Sequence, residues 1–317
     1  MTKFAKPALS LSAQVEKLIS RGLEIGDLEA AKSFLSRVSY YRLSGYTRIF
    51  YVDQENPQTG HLFRPNTCFD DVVRIYEFDR ELRALVLAAI GRIEVALRTS
   101  ATNHLCLKYG NQWFLNGDVF LPGFRHEEFV DTITTALGLD PATGGRREQF
   151  LDHYFKKYTE PSVPPGWMVG EVLSLSTWSK LFKNLADLRD QKEIAQPLGW
   201  PASLIESWAH CLSILRNCCA HHSRIWNRTY AVRPTFPAKN PSFSSAVWQD
   251  TLFAAQAAII HALMSKIAPG DSWSRRLRDL FDRYPSAGQG AMGFKWKWYR
   301  NPFWEIDDQP PGPDYHI

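Results

Sequence analysis

The stretch Leu215-Arg216-Asn217-Cys218-Cys219-Ala220-His221-His222-Ser223-Arg224-Ile225-Trp226-Asn227-Arg228 gathers arginines, histidines and asparagines at the end of an apolar run. An arginine fork holds a phosphate through parallel charge-assisted hydrogen bonds, and an imidazole moves protons near neutral pH. Arg216 and His221 are therefore the minimum equipment for cutting RNA without a metal. In that reaction the ribose 2′-hydroxyl is the nucleophile, and the protein supplies a base, an acid and a cation beside the pentavalent phosphate. The residue types assign proton transfer to His221, phosphate binding and transition-state charge to Arg216, and orientation of the histidine or the phosphate to Asn217. His222 is the alternative proton carrier, because a helix end is hard to place to one residue. Arg224, Asn227 and Arg228 are supporting candidates. A plainer reading makes Arg216 a surface charge and His221 a partner of a helix C-terminal dipole. It leaves Asn217, His222 and Arg224 without a role.

The element that must carry these residues is a helix. Ser203 and Glu206, after Pro201, have the spacing of a capping box, and Leu204, Trp208, Leu212, Leu215 and Cys219 recur at helical steps on one stripe. At about 100° per residue, Arg216 sits roughly 40° from Leu212, and His221 roughly 140° from Arg216. One straight helix does not aim both at the same phosphate. Either the helix breaks near Ala220, or a second copy of it completes the site across a two-fold axis.

A second long helical pattern opens at Thr67-Cys68-Phe69-Asp70, again with capping-box spacing, and places Val72, Tyr76, Leu82, Val86, Ile90, Ile93 and Leu97 on one face. The two long stripes predict that these helices pack together at the centre of one α-helical domain. Asp79 with Arg83, and Glu94 with Arg98, have the spacing of helix-surface ion pairs worth a few tenths of a kcal/mol each. A sharper reading has Glu94 or Arg98 face the catalytic helix and orient Arg216.

The remaining chain reads as shorter helices and connections. Val15, Leu18 and Ile19 form one stripe ending at Gly22; Asp27 caps another carrying Leu28, Ala31, Phe34 and Leu35; and Tyr40 to Tyr46 is rich in aromatics whose commoner use is packing. Turn residues Asn56, Pro57, Thr59 and Gly60 mark a polar connection, and Gly144 to Arg147 mark an exposed turn. Helical periodicity resumes from Gly170 to Leu185 and over an amphipathic segment from Ala246 to Ile267. Lys295, Trp296, Lys297, Trp298 and Arg300 interleave cations with aromatics, the composition of a single-strand nucleic-acid platform; alternation would put the tryptophans on one side. The alternative is that Trp296 and Trp298 pin the terminus to the body. Pro310, Pro311 and Pro313 suggest a non-helical tail. With no run of alternating strands, the chain is expected to be all-α: an N-terminal helical region over 1–60, a helical core over 61–270, and a C-terminal aromatic and basic tail over 271–317.

Across 317 residues, 37 lysines and arginines exceed 33 aspartates and glutamates, so the chain is mildly basic, which permits an RNA partner without demanding one. Five cysteines lack any paired C-x-x-C arrangement, which argues against a zinc site or a disulfide framework and fits a reducing cytoplasm. No metal or other cofactor is expected. The N-terminus lacks a signal-peptide core, and no run is apolar enough to span a bilayer, so a soluble cytoplasmic protein with no membrane partner is expected.

Several segments together resemble the Abi family of abortive-infection proteins, the AbiD/AbiF-like group of the HEPN superfamily. They are Lys6-Pro7 with Gln14 to Ile25, Tyr40 to Tyr46, Phe78 to Thr99, Trp167 to Phe182, and Leu215 to Arg228 with its R-N-x-x-x-H core. The resemblance implies a HEPN-type helical bundle, a role in defence against phage, and RNA cleavage by motifs paired in a homodimer. It also implies RNA as target or as regulatory small RNA, and an antitoxin that is either RNA or protein. HEPN toxins silenced by tyrosine modification carry a tyrosine two places after the histidine, where this chain has Ser223. That mode of control is not expected here.

Overall fold

The computed structural model describes residues 7–53, 61–139, 148–238 and 240–304. The turn residues Asn56, Pro57, Thr59 and Gly60, the turn at 144–147 and the prolines at 310–313 lie outside them. Among the described residues there are thirteen α-helices and no β-strand, only isolated bridges, so the fold is all-α as the sequence predicts. The chain divides into two compact units, Met1–Arg83 with Asp279–Gln289, and Ala84–Arg278 with Gly290–Ile317. The divisions after Arg83 and Arg278 fall inside helices. Turn chemistry marks where a chain bends, not where one core gives way to the next.

In the first unit, α1 (Leu11–Ser20), α2 (Leu28–Arg37) and α3 (Tyr40–Thr47) start where Ser10, Asp27 and Ser39 accept hydrogen bonds from backbone N–H groups of the first turn. Helix α1 ends as its stripe predicts. Gly22 adopts φ +90°, and the N–H groups of Gly22 and Leu23 close onto the carbonyls of Ile19 and Leu18. The next helix, α4 (Phe69–Tyr109), runs 41 residues from this unit into the other. Its cap forms one residue later than expected: Asp71 accepts the Cys68 N–H at 3.0 Å, while the Thr67 hydroxyl turns back to the Arg64 carbonyl at 2.8 Å.

Asp79 and Arg83 are not a surface pair. Asp79 is completely buried, it is bonded to Arg83, and it accepts the Tyr46 hydroxyl at 2.6 Å. Burial pushes the Tyr46 phenol well above its ordinary pKa, and the adjacent Asp79 charge reinforces this. The tyrosine-rich segment is thus mainly packing, as its composition suggests, although Tyr41 is exposed.

The second unit holds the rest of α4 with α5 (His126–Ala136), α6 (Gln149–Lys157), α7 (Gly166–Val172), α8 (Leu175–Lys183), α9 (Leu188–Ala195), α10 (Ala202–Ala220), α11 (Pro241–Ala246) and α12 (Phe253–Ile267). It also holds the start of α13 (Trp273–Arg283), so residues 271–317 are not simply a tail. Helix α12 begins seven residues after the predicted Ala246 and is not amphipathic: every residue from Phe253 to Met264 is buried, as befits a central helix. Helix α10 packs chiefly on α8, with α9 and α12 also against it. Arg216 on α10 and Glu94 on α4 bring these two helices to within ion-pair distance of each other, at 3.9 Å. Helix α4 also approaches α7, where a Cβ on Gly170 would collide with Thr102 and press on Trp178. No helix among the described residues is long and apolar enough to cross a membrane.

Candidate functional site

Helix α10 buries Leu204, Trp208, Leu212, Leu215 and Cys219 as its periodicity predicts, and the Trp208 indole donates to the Thr235 carbonyl at 2.7 Å. The expected capping box does not form. Pro201 occupies the N-cap and its carbonyl accepts from the N–H groups of Leu204 and Ile205, which leaves Ser203 inside the helix. Glu206 lies 3.9 Å from Lys183 instead.

The other end is sharply defined. Helix α10 stops at Ala220, His221 is the C-cap, and His222 takes the left-handed conformation at φ +55°. The N–H groups of His222 and Ser223 close onto the carbonyls of Cys219 and Cys218, the Schellman pattern that ordinarily has glycine where His222 stands. The break comes too late to swing His221 back toward Arg216. The Cα of His221 is placed by residues that are still helical, so its side chain leaves the axis roughly 140° from that of Arg216. Both histidines are exposed.

Arg216 is 40% exposed and its Nε lies 3.9 Å from Glu94 Oε2, a contact longer than a hydrogen bond. Glu94 itself is nearly buried and accepts from Arg98 Nη2 at 2.9 Å. Arg98 Nη1 reaches on to α7, at 2.9 Å from a Glu171 carboxylate oxygen and 3.3 Å from the Glu171 carbonyl. The chain Glu171–Arg98–Glu94–Arg216 thus holds one guanidinium inside and leaves the other facing water. Asn217 is exposed, and its amide donates weakly to Ser176 Oγ on α8 at 3.4 Å, away from the histidines. Glu171 and Ser176 carry no motif of their own in the sequence; only the fold brings α7 and the start of α8 to this face.

Beyond the cap, Ile225 and Trp226 are buried and pin the segment, and Asn227 turns it at φ +45°. The Arg224 guanidinium lies 5.9 Å from the Trp226 ring and that of Arg228 5.9 Å from Tyr230, while Arg228 Nη1 donates to the Arg224 carbonyl at 3.4 Å. Aromatic neighbours fix these cations in place without neutralising them.

Lys295, Trp296, Lys297, Trp298 and Arg300 form a turn, not an alternating strand. Lys297 is left-handed at φ +54°, Trp296 is 85% exposed, and Trp298 is buried between Phe294 and Trp304. The two tryptophans therefore face opposite environments, and Trp298 has no free face for a base. No hydrogen bond or ion pair among the described residues joins this turn to Arg216 or His221. Nor does any group of three or more His, Cys, Asp or Glu there have the arrangement of a metal site.

The fold and this face define an all-α protein that presents cations and imidazoles at the end of one packed helix. A family model for Abi-like proteins matches residues 33–227, and the chain belongs to that family. The matched span covers α10 and the whole Arg216 to Asn227 segment, and membership points to abortive infection in general. No curated protein and no solved structure matches the chain.

Proposed function

We propose that this Abi-like protein is a metal-independent endoribonuclease of the HEPN type, acting in defence against phage. The observation that carries the reading is Arg216: a guanidinium 3.9 Å from a nearly buried glutamate, open to solvent, about one and a half helical turns before two exposed histidines. A phosphate arriving at Arg216 competes only with a loose contact. A histidine takes the proton of the 2′-hydroxyl, whose oxygen attacks phosphorus. The bond to the 5′-oxygen breaks and a second imidazole protonates it, leaving a 2′,3′-cyclic phosphate and a 5′-hydroxyl. Arg216 balances the charge that builds on the phosphoryl oxygens. Glu94 positions Arg216, and Arg98, anchored by Glu171, positions Glu94.

Because Arg216 and His221 diverge on one helix, the complete site takes two chains, with two α10 ends related by a two-fold axis. The pair supplies two arginines with both an acid and a base. A small RNA or a protein antitoxin restrains such a site by occupying the same cations. The decisive assay incubates purified protein with RNA in EDTA and analyses the ends: cyclic phosphate supports the reading, and intact RNA under all conditions sinks it. Light scattering that finds only monomer, with and without RNA, removes the two-chain site.

One observation favours a second reading, RNA binding without cleavage. Asn217 is directed to Ser176 rather than to a histidine, and Arg224 and Arg228 are held by aromatic rings like fixed phosphate clamps. In that case RNA binds with strong salt dependence and stays whole.

A further inference from the structure

Eleven tryptophans are spread along the chain, and most are packed. Two of the exposed ones belong to neighbouring loops of the second unit: Trp296, 85% exposed, and Trp248, 60% exposed. The loops are tied together. Lys295 Nζ donates to the Ser245 carbonyl at 3.2 Å, and Asn301 Nδ2 donates to Ser245 Oγ at 2.9 Å. At the far end a Cβ on Gly293 would lie 2.9 Å from Leu252 Cβ, so the two segments touch on both sides of Trp248, at Ser245 and at Leu252. Beside Trp296 the turn is anchored by Trp298, packed tilted against Phe294 and edge-on against Trp304. Trp296 is therefore held on a firm base with its ring in water. The turn that lifts it passes through a lysine in the left-handed region, a conformation unfavourable for a side chain with a Cβ.

We propose that Trp248 and Trp296 form a stacking platform for unpaired bases of single-stranded RNA, separate from the Arg216 face. The charge around them fits that occupant. Lys297 Nζ lies 5.9 Å from the Trp296 ring, and Lys295 and Arg300 belong to the same turn; on the Trp248 side Arg233 is paired with Asp250 at 3.6 Å and adds no net charge. An exposed indole offers a face to any base, and cations beside it follow the backbone, which is how sequence-tolerant single-strand binding works. A purely apolar partner would leave Lys295, Lys297 and Arg300 to be desolvated without a counter-charge. The platform does not depend on cleavage: it serves a nuclease as a substrate-holding surface and a non-cleaving protein as its RNA grip.

The test measures binding of the full chain to a short single-stranded oligodeoxynucleotide, which has no 2′-hydroxyl to react, and to its RNA counterpart. A duplex of the same sequence is the control. Wild type binds both single strands more tightly than the duplex. Trp296→Ala and Trp248→Ala each weaken single-strand binding about tenfold or more, and Trp296→Phe keeps most of it. Lys297→Ala makes binding less salt-dependent, with a slope smaller by about 0.7. Both indoles are exposed, so unchanged circular dichroism and melting confirm that the variants are folded. Alanine variants that bind like wild type, or a wild type without single-strand preference, overturn the platform. So do variants whose only change is a loss of self-association, which would assign the surface to a second copy. Absence of cyclic phosphate ends in the EDTA assay refutes the nuclease reading and leaves this one standing.

Discussion

Two charge clusters hang from the second half of α4, each begun by a pair spaced four residues apart, and they come to opposite ends. In the one nearer the C-terminus, His104, Lys108 and Tyr109 all reach the fully buried Asp190 of α9, at 2.7, 2.5 and 2.6 Å. In the other, Glu94 and Arg98 bond to each other, Arg98 is held by Glu171, and Arg216 remains half in water at 3.9 Å. The first cluster is closed: its carboxylate is shut away from water, takes three side-chain donors, and fastens two helices. The second has one cation to spare. A saturated buried network contributes order, whereas an incompletely satisfied one at the surface is available to a ligand. Spacing on the helix does not distinguish them; what α7, α9 and α10 bring to each does.

The largest expected effect lies at the open cluster. His221→Ala lowers RNA cleavage by about a hundredfold to ten-thousandfold while RNA affinity changes little, and Arg216→Ala damages both. Cleavage rates and filter-binding curves on the same preparations separate the two. If His222→Ala rather than His221→Ala is inactive, proton transfer moves one residue. Wild-type cleavage by the double histidine variant would end the catalytic reading.

At the closed cluster the effect is on stability. Asp190→Ala removes the one acceptor shared by three donors, and denaturant unfolding should report a loss of about 3–5 kcal/mol. Glu94→Gln should cost less than about 1 kcal/mol, since its neutral oxygen still accepts from Arg98, yet it slows cleavage by misplacing Arg216. Equal destabilisation by the two changes would erase the distinction between the clusters.

The same contrast has a pH signature. Burial alone pushes the Asp190 carboxyl up, but hydrogen bonds from His104, Lys108 and Tyr109 outweigh it and hold it below its ordinary value. A depressed folded pKa means the contribution is present above the unfolded pKa, about 3.9, and is lost as pH falls through the acid range. The urea midpoint should therefore drop between about pH 5 and pH 3, and less steeply in Asp190→Asn. Identical slopes in both proteins would show that Asp190 is not the group responsible.

The smallest effect concerns two helix ends with one hydrogen-bond pattern. Gly22 closes α1 and His222 closes α10, both at positive φ. His222→Gly should raise stability by about 1 kcal/mol, and Gly22→Ala should lower it by about 1–2 kcal/mol. If His222→Gly is more stable and also impaired in cleavage, the histidine is kept at that position for its chemistry and against its backbone preference. If it is more stable and fully active, His222 serves only the turn.

Much of this protein is legible in one dimension. The all-α fold, the buried stripe of α10, the turn at Gly22 and the clustering of arginine and histidine around 216–228 follow from periodicity and residue type, which act within a few turns of the chain. Boundaries near prolines and caps slipped by one or more residues, as at Pro201 and Cys68, because neighbouring residues compete to supply the same hydrogen bond. The extent of α12 was less readable, since a helix buried on every side has no polar face to give it a period. What the tertiary structure alone decided is which ionisable groups are spent and which are free. Asp79 and Asp190 are enclosed, Glu94 comes to 3.9 Å from Arg216, and Trp298 is packed while Trp296, two residues away, stands in water. Burial and pairing depend on elements distant in sequence, and the physical effect is large: the same carboxylate or indole that is neutral in its consequences on a surface becomes structural once its surroundings exclude water.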